Sequence, residues 1–455
     1  MNTWLGTPGI VCALGAGVNA VAQAAFDGDT RGMRGQAGWV RDRSLTLGAY
    51  DGPLPAFPGT AADTRPHTAA NTDGDIPPGT SVAAPRDMLA KATAGSLDAP
   101  PSDILAKATA TATAAPMPDH LRSRNNRLLL ACAEQIAPQL QRAIARHGPS
   151  RVAVVLGTST SGVNDNAPAF RTLAAQGAWP ADYDYRRQAL SSPAAFLAAH
   201  LGVTGPAYTL STACTSSARA LLSARRLLAA GLCDAVVCGG ADTLCRLTIN
   251  GFATLEAVDD ALCQPFSVNR RGINIGEAGV LFVMQRDADD ANAVALLGGG
   301  ASSDAWHMSA PEPSGAGARQ AMLAALQAAR LAPADIGWVN LHGTGTPHND
   351  AMESHAMHAV FPEGVPCAST KALTGHTLGA AGAMEAALAW ITLSAMNPDG
   401  RLMPHVWDGQ ADPALPALNF STGQHRYAPG RPRIAMSNSF AFGGNNASLI
   451  LGAQP

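Results

Sequence analysis

Thr212-Ala213-Cys214-Thr215-Ser216-Ser217 joins a short apolar run at 206–210 to an Ala-, Leu- and Arg-rich stretch of helical period at 218–230. A strand that turns directly into a helix is a building unit of a layered α/β protein. It also places Cys214 at a helix N-terminus, where unpaired N–H groups and the positive end of the helix dipole favour a thiolate. A thiol below its ordinary pKa of about 8.5 is therefore expected there. A lone cysteine in such a turn is more often a small buried residue that fits the space. Two histidine motifs downstream change that reading.

The first is Asn340-Leu341-His342-Gly343-Thr344-Gly345-Thr346-Pro347, followed by Asn349, Asp350 and Glu353. The second is Ser369-Thr370-Lys371-Ala372-Leu373-Thr374-Gly375-His376-Thr377-Leu378-Gly379, continuing through Ala380, Ala381 and Gly382. Each follows a short apolar run, at 336–341 and 365–368, and each runs into Gly, Thr and Ser. Both histidines are therefore expected on turns at strand ends, where α/β proteins present their reacting groups. A cysteine, two such histidines and a lysine form a nucleophile-and-donor set.

The rest of the chain fits an enzyme of this class. Its 455 residues correspond to about three domains or to one large layered body, and 47% apolar content is ample for a core. A formal charge of −3 gives no basic footprint, so nucleic acid is not expected as a partner. The eight cysteines include no CxxC pair and no metal-ligand spacing. Cys233, Cys238, Cys245 and Cys263 read as reduced core residues, and no metal site is expected. No apolar run approaches the ~18 residues of a membrane span. The apolar stretch at 4–26 lacks Lys or Arg before Arg31 and is broken by Gly6, Pro8, Gly9, Gly15 and Gly17. It reads as a strand at 10–14, a glycine turn and a first helix rather than as a signal peptide. A cytoplasmic location is expected.

Residues 58–118 are anomalous. They are rich in Ala, Pro, Thr and Asp and carry a tandem near-repeat, DMLAKATA at 87–94 and DILAKATA at 103–110. They read as a disordered insertion from local duplication, with a docking peptide as the sharper alternative. Order is expected again in a helix at 125–147 and a buried strand at 151–158 that leads into Ser159. Strands and Ala-rich helices alternate from there on.

Read together, these motifs resemble the β-ketoacyl-[acyl-carrier-protein] synthases of the elongating KAS I/KAS II type, in the thiolase superfamily. The resemblance rests on TACTSS at 212–217, DAVVCGGAD at 234–242 and PFSVNRRGINIGEAG at 265–279. It continues through SSDAWHMSAP at 302–311, HGTGTPHND at 342–350, STKALTGHTLGAAGAMEA at 369–386 and SNSFAFGGNNASLIL at 437–451. It implies a five-layered α-β-α-β-α fold of two halves related by a pseudo-twofold. One half would be 1–290 with the nucleophile, the other 291–455 with the histidines.

The resemblance further implies the chemistry. Cys214 would take an acyl chain from an acyl-carrier-protein thioester. The N–H donors of His342 and His376 would stabilise the enolate formed as malonyl-carrier protein loses CO₂. Attack on the acyl-cysteine would then release a 3-ketoacyl product. Backbone amides of Cys214 and Phe440 would form the oxyanion hole. Lys371 and Glu353 would be an ion pair that orients the histidines. Thr344 and Thr346 would contact the phosphopantetheine arm, Phe442 would gate the pocket, and Ile273 would shape it. No cofactor is implied beyond phosphopantetheine arriving on the carrier protein. The expected partners are that carrier and a second synthase subunit, either identical or a cysteine-lacking homologue.

Three departures from the family bear on the site. Ala441 replaces a glycine of the F-G-F-G-G-T-N loop, and Arg271 and Ile273 replace the acidic and aromatic residues of R-D-G-F. The departures bear on pocket shape and gating, and the RGINIGEAG wording also resembles condensing enzymes of aryl-polyene and xanthomonadin-type pigment pathways. Other readings are distinguishable. A chain-length-factor subunit would lack Cys214, and an initiating KAS III enzyme would not place His376 in GHTLGAAG. A degradative thiolase would carry a second cysteine near the C-terminus. A non-enzymatic carrier-binding protein would never become acylated.

Overall fold

The computed structural model describes residues 3–58 and 117–453. The tandem repeat and nearly all of the 58–118 insertion lie outside the described residues.

The strand Val152–Gly157 is buried along its whole length and reads VAVVLG, a β-branched run suited to a strand covered on both faces. It pairs in parallel with Ala207–Leu210 and with Ala235–Asp242. Ala235–Asp242 pairs antiparallel with Ala278–Gln285, which pairs antiparallel with Gly9–Cys12. The C-terminal part repeats this pattern. Trp338–Asn340 lies parallel to Pro366–Ala368 and to Ile434–Phe440. Ile434–Phe440 is antiparallel to Asn445–Gly452, which is antiparallel to Val294–Ser303. The short strand Thr3–Leu5 joins the two arrays by pairing with both Val294–Ser303 and Ala278–Gln285. The two halves thus share strand order and sense.

Two helices lie between the sheets, Ser216–Ala229 and Ala381–Leu393. Every residue of Ala381–Leu393 is buried, as its all-round apolar sequence AGAMEAALAWITL requires. The two helices approach closely because Gly382 has no side chain. A Cβ there would lie 2.6 Å from the backbone nitrogen of Ala218. The amide of Ala383 donates to Ser217 Oγ at 2.8 Å across the same contact. Outer helices complete five layers. Arg124–Gln135, Ala137–His147 and Ser192–Leu201 cover the first sheet, and Ala316–Ala329 and Pro347–Val360 cover the second.

The single helix expected at 125–147 is broken at Ile136 (φ −111°, ψ 16°), because Pro138 in the following first turn has no N–H to continue the ladder. At the N-terminus the strand is Gly9–Cys12, and the helix Val18–Phe26 follows a two-residue strand. A cap consisting of the hairpin Met33–Val40/Arg43–Gly48 and the helix Arg246–Thr254 packs with Ile273, Ile275 and Leu378. No helix among the described residues is long and apolar enough to cross a membrane.

Candidate active site

Cys214 is buried two residues before the helix Ser216–Ala229. The turn that carries it is held by its own hydroxyls. Ser216 Oγ accepts from the Thr212 amide at 2.9 Å and donates to the Ala213 carbonyl at 2.5 Å, and Thr215 Oγ1 donates to the Thr212 carbonyl at 2.8 Å. Ala213 sits at φ +51°, an uncommon conformation for a residue with a Cβ, so this elbow persists only because its surroundings hold it.

The second half supplies the groups facing the thiol. His342 follows the strand Trp338–Asn340, and carboxylates from the next helix reach back to its turn. Glu353 accepts from the amides of His342 (2.8 Å) and Gly343 (2.7 Å). Asp350 accepts from Thr344 (3.1 Å), Gly345 (3.2 Å) and Phe266 (2.7 Å). Thr344 Oγ1 and Thr346 Oγ1 are 2.9 Å apart in this buried turn. His376 is clamped by the first half. Its amide donates to Asn274 O at 2.6 Å, and its carbonyl accepts from the Gly276 amide at 2.9 Å. The two imidazole rings meet edge to face at 5.2 Å, and His376 Nε2 lies 3.0 Å from Cys214 Sγ.

Neighbouring donors fix the tautomers. The Leu378 amide donates to His376 Nδ1 at 3.3 Å, so that nitrogen is an acceptor and the hydrogen sits on Nε2. Lys371 Nζ, 3.4 Å from His342 Nδ1, imposes the same tautomer on His342. Burial, and then the charge of Lys371, hold both imidazoles well below their usual pKa. Both are neutral N–H donors at neutral pH. The cluster Cys214, His342 and His376 has its ligand atoms within 4.8 Å of one another, a spacing a metal ion could bridge. The donor set argues otherwise. A metal-bound histidine normally donates its remote N–H to an acceptor, whereas here both remote nitrogens accept.

Several expectations need correction. Burial pushes the Cys214 thiol up to about 11, and the opposing influences, the Lys371 charge and the backbone amides of Phe442 and Cys214, do not outweigh it. The lowered pKa expected from the helix N-terminus is not found, because desolvation is the larger effect in a sealed site. The remote amide that reaches the sulfur is that of Phe442, not Phe440. Phe440 ends the strand Ile434–Phe440 and turns its ring toward His342 at 6.2 Å. The ion-pair partner of Lys371 is Glu385, on the fully buried helix, not Glu353. Lys371 also donates to the His342 carbonyl. Burial raises Glu385 to about 7 and Glu353 to about 8. The spacing Lys371 to Glu385 lies within the quoted motif, but which of two acids faces the lysine depends on how the helix is rotated.

The three departures also resolve. Arg271 is 68% exposed and pairs with the buried Asp259 at 3.2 Å, so it is a surface residue. Ala441 has no positive φ. The left-handed positions of its loop are Gly443 (φ 82°) and Gly444 (φ 77°). Ile273 is buried in the cap, while the Phe442 ring packs on Phe252 at 5.3 Å. Sequence reading did not single out Phe252, Asn274 or Glu385.

Comparison with known proteins bears on this arrangement. The β-ketoacyl synthase N-terminal domain model matches residues 115–290, and the C-terminal domain model matches residues 294–397. A 3-oxoacyl-[acyl-carrier-protein] synthase 2 of Mycobacterium bovis is 36% identical over 255 residues, covering 53% of this chain and 60% of that protein. The same-named protein of Staphylococcus aureus is 33% identical over 264 residues, covering 55% of this chain and 64% of that protein. The matches thus span less than two thirds of these curated relatives. A ketosynthase from Xenorhabdus doucetiae, solved in complex with its chain length factor, is 42% identical, with a TM-score of 0.80 over 100% of this chain and 98% of its own. A β-ketoacyl synthase from Burkholderia phymatum, at 24% identity, shares the fold with a TM-score of 0.75 over 100% of both chains.

Proposed function

The chain belongs to the β-ketoacyl synthase family, and from that premise we propose that it catalyses decarboxylative Claisen condensation of an acyl-cysteine with malonyl-acyl-carrier protein. The observation that carries the proposal is His376 Nε2, held as a donor, 3.0 Å from the sulfur of Cys214.

In loading, the Cys214 sulfur attacks the acyl thioester of a carrier protein, and the carrier's pantetheine sulfur leaves with the proton. The His376 N–H and the Phe442 amide support charge on the attacking sulfur. Once that sulfur is a thioester it no longer competes for the His376 donor. Malonyl-carrier protein then loses CO₂. The electron pair of the broken C–C bond becomes an enolate, and its oxygen accepts from Nε2–H of His342 and His376. Donors fixed before the charge forms are among the largest catalytic effects. The enolate carbon attacks the acyl-cysteine. Amides of Cys214 and Phe442 hold the tetrahedral oxyanion, the C–S bond breaks, and a 3-ketoacyl chain two carbons longer leaves on the carrier.

Lys371 acts as a positioning residue for His342, with Glu385 as its counter-charge and Glu353 holding the histidine backbone. The hydroxyls of Thr344 and Thr346 face the phosphopantetheine arm, which arrives with the substrate. Phe442 on Phe252 forms the gate, and Ile273 shapes the cap. The nucleophile half ends near residue 290 and the histidine half begins there. The second subunit is a copy of this chain or a cysteine-lacking homologue, as in the chain-length-factor complex of the Xenorhabdus relative. Eight free thiols suit a reducing, cytoplasmic compartment. Of the three departures, only Ile273 still bears on pocket volume. A polyene or aryl-capped substrate therefore rests on that residue and on the RGINIGEAG wording.

The test is intact-protein mass spectrometry with saturated and polyunsaturated acyl-carrier proteins of equal length, followed by malonyl-carrier protein. A thioester on the Cys214 peptide, CO₂ release and a 3-ketoacyl product are expected. Absence of acylation, or acylation persisting in Cys214→Ser, overturns the proposal. Preference for saturated chains would assign the protein to fatty-acid elongation.

A further inference from the structure

Asp242 ends the strand Ala235–Asp242 and is fully buried, yet all its hydrogen-bond donors are uncharged. Its two oxygens receive the Thr158 hydroxyl (2.6 Å), the Ser159 amide (2.8 Å), the Thr160 amide (2.7 Å), the Thr160 hydroxyl (2.8 Å) and the Gly379 amide (2.5 Å). The first four donors belong to the nucleophile half. The fifth comes from the histidine half, in the turn directly after His376. Burial pushes this carboxyl above the usual carboxylate range, opposed by the hydrogen bonds from Thr158, Thr160 and Ser159. Each contact donates to one or both of its two acceptor oxygens, in a cradle assembled from both halves.

The turn it holds positions one backbone donor of the site. Leu378, one residue before Gly379, stands at φ +50°, a left-handed conformation that a leucine keeps only under constraint. In that conformation its amide points at His376 Nδ1. The chain of contacts runs from Asp242 to the Gly379 amide, to the Leu378 peptide, to Nδ1, and leaves the hydrogen on Nε2 toward Cys214. We propose that Asp242 is a positioning residue for the decarboxylation step, its carboxylate fixing His376 as a donor rather than a base. The inference rests on the condensing reaction proposed above.

The two acceptor oxygens of this side chain matter more than its volume. Asn in its place would turn an NH₂ either toward the Ser159 and Thr160 amides or toward the Gly379 amide. One set of donors would be repelled in either orientation. If the Gly379 turn is released, the Leu378 amide leaves Nδ1, and the ring is free to carry its hydrogen there. Nε2 then becomes an acceptor. It can take the proton of the Cys214 thiol, so acyl loading survives, but it cannot donate to an enolate oxygen.

The experiment uses the full chain and separates the two half-reactions. In Asp242→Asn, decarboxylation of malonyl-carrier protein is expected to fall by roughly 10²-fold, the effect of losing one preorganised donor, while loading of Cys214 is retained. In ¹⁵N-histidine-labelled protein, His376 should move from the Nε2–H to the Nδ1–H tautomer. Gly379→Ala approaches from the other side, because its Cβ would lie 2.7 Å from Asp242 Oδ2 and from the Ser159 nitrogen. It should give the same split, and the double variant should lose no more than either single. Equal loss of both half-reactions, no loss, or an unchanged His376 tautomer in Asp242→Asn overturns the inference. If Asp242→Asn does not fold, Thr158→Val, which removes one donor and leaves the carboxylate, must show the split in milder form, and parallel losses there overturn it. Failure of the unsubstituted protein to load or decarboxylate would instead overturn the condensing reading itself.

Discussion

The two halves repeat one topology but join their third strand to the central helix differently. In the first half the chain passes from Ala207–Leu210 to the helix beginning at Ser216 in a tight elbow. In the second it leaves Pro366–Ala368 and reaches its helix only at Ala381, after a helical turn at Lys371–Thr374 and a 3₁₀ turn at Leu378–Ala380. The short connection has room for one reacting group, Cys214. The long one brings Lys371 and His376 into the same space. The helices differ accordingly. Ser216–Ala229 keeps Arg226 and Ala229 exposed, whereas Ala381–Leu393 is buried throughout and carries Glu385 to the lysine. Where the repeated halves diverge, one presents a buried thiol and the other two imidazoles and a lysine, which in the proposed reaction divide into a nucleophile and fixed donors.

The sharpest test of that division is Glu385→Ala. It leaves the Lys371 ammonium buried without its counter-charge, and breaking a buried pair costs about 3–5 kcal/mol. A clear fall in melting temperature is expected, and an unchanged one would mean that the second helix is not the anchor of the lysine. Next are His342→Ala and His376→Ala. Each should lower malonyl decarboxylation by ~10²–10³ and spare acyl loading more than decarboxylation. Equal loss of both activities would erase the distinction between the halves. Gly382→Ala forces a Cβ against the Ala218 backbone where the two helices meet. It should destabilise by about 1–3 kcal/mol in denaturant unfolding, and no change would mean that the contact is looser than described.

The thiol itself gives a smaller, graded effect. Because burial holds Cys214 near 11, its thiolate fraction is low at neutral pH and rises with pH. Alkylation of Cys214 in the unliganded protein should accelerate roughly tenfold per pH unit across pH 7–9. A plateau already reached at pH 7 would restore the low-pKa thiolate expected at a helix N-terminus. The smallest effect belongs to Arg271→Ala. Removing an exposed pair should cost no more than about 1 kcal/mol and leave product chain length unchanged. An altered product length would return that residue to the pocket.

Much of this was legible in the sequence because strand-turn-helix junctions are local. The period change at 210–218 located Cys214, and the Gly/Thr-rich turns after apolar runs located His342 and His376. The motif order located the two halves. Local reading went wrong where a contact depends on rotation or on the far side of a sheet. Phe440 ends a strand and Phe442 lies two residues on in the following loop, and only the path of that loop brings the second amide to the sulfur. Glu353 lies on the helix before Lys371 and Glu385 on the helix after it, and only packing of the buried helix decides which one meets Lys371.

By itself the sequence determined the family, the layered α/β fold and the three groups that meet at the centre, because strand periodicity, turn composition and residue type are written along the chain. The tertiary structure decided the electrostatics. The pKa of Cys214, the tautomers of the histidines and the surroundings of Asp242 depend on how much water is excluded and on which amides of the opposite half point inward. Those are properties of two surfaces brought together, and no single stretch of sequence contains both.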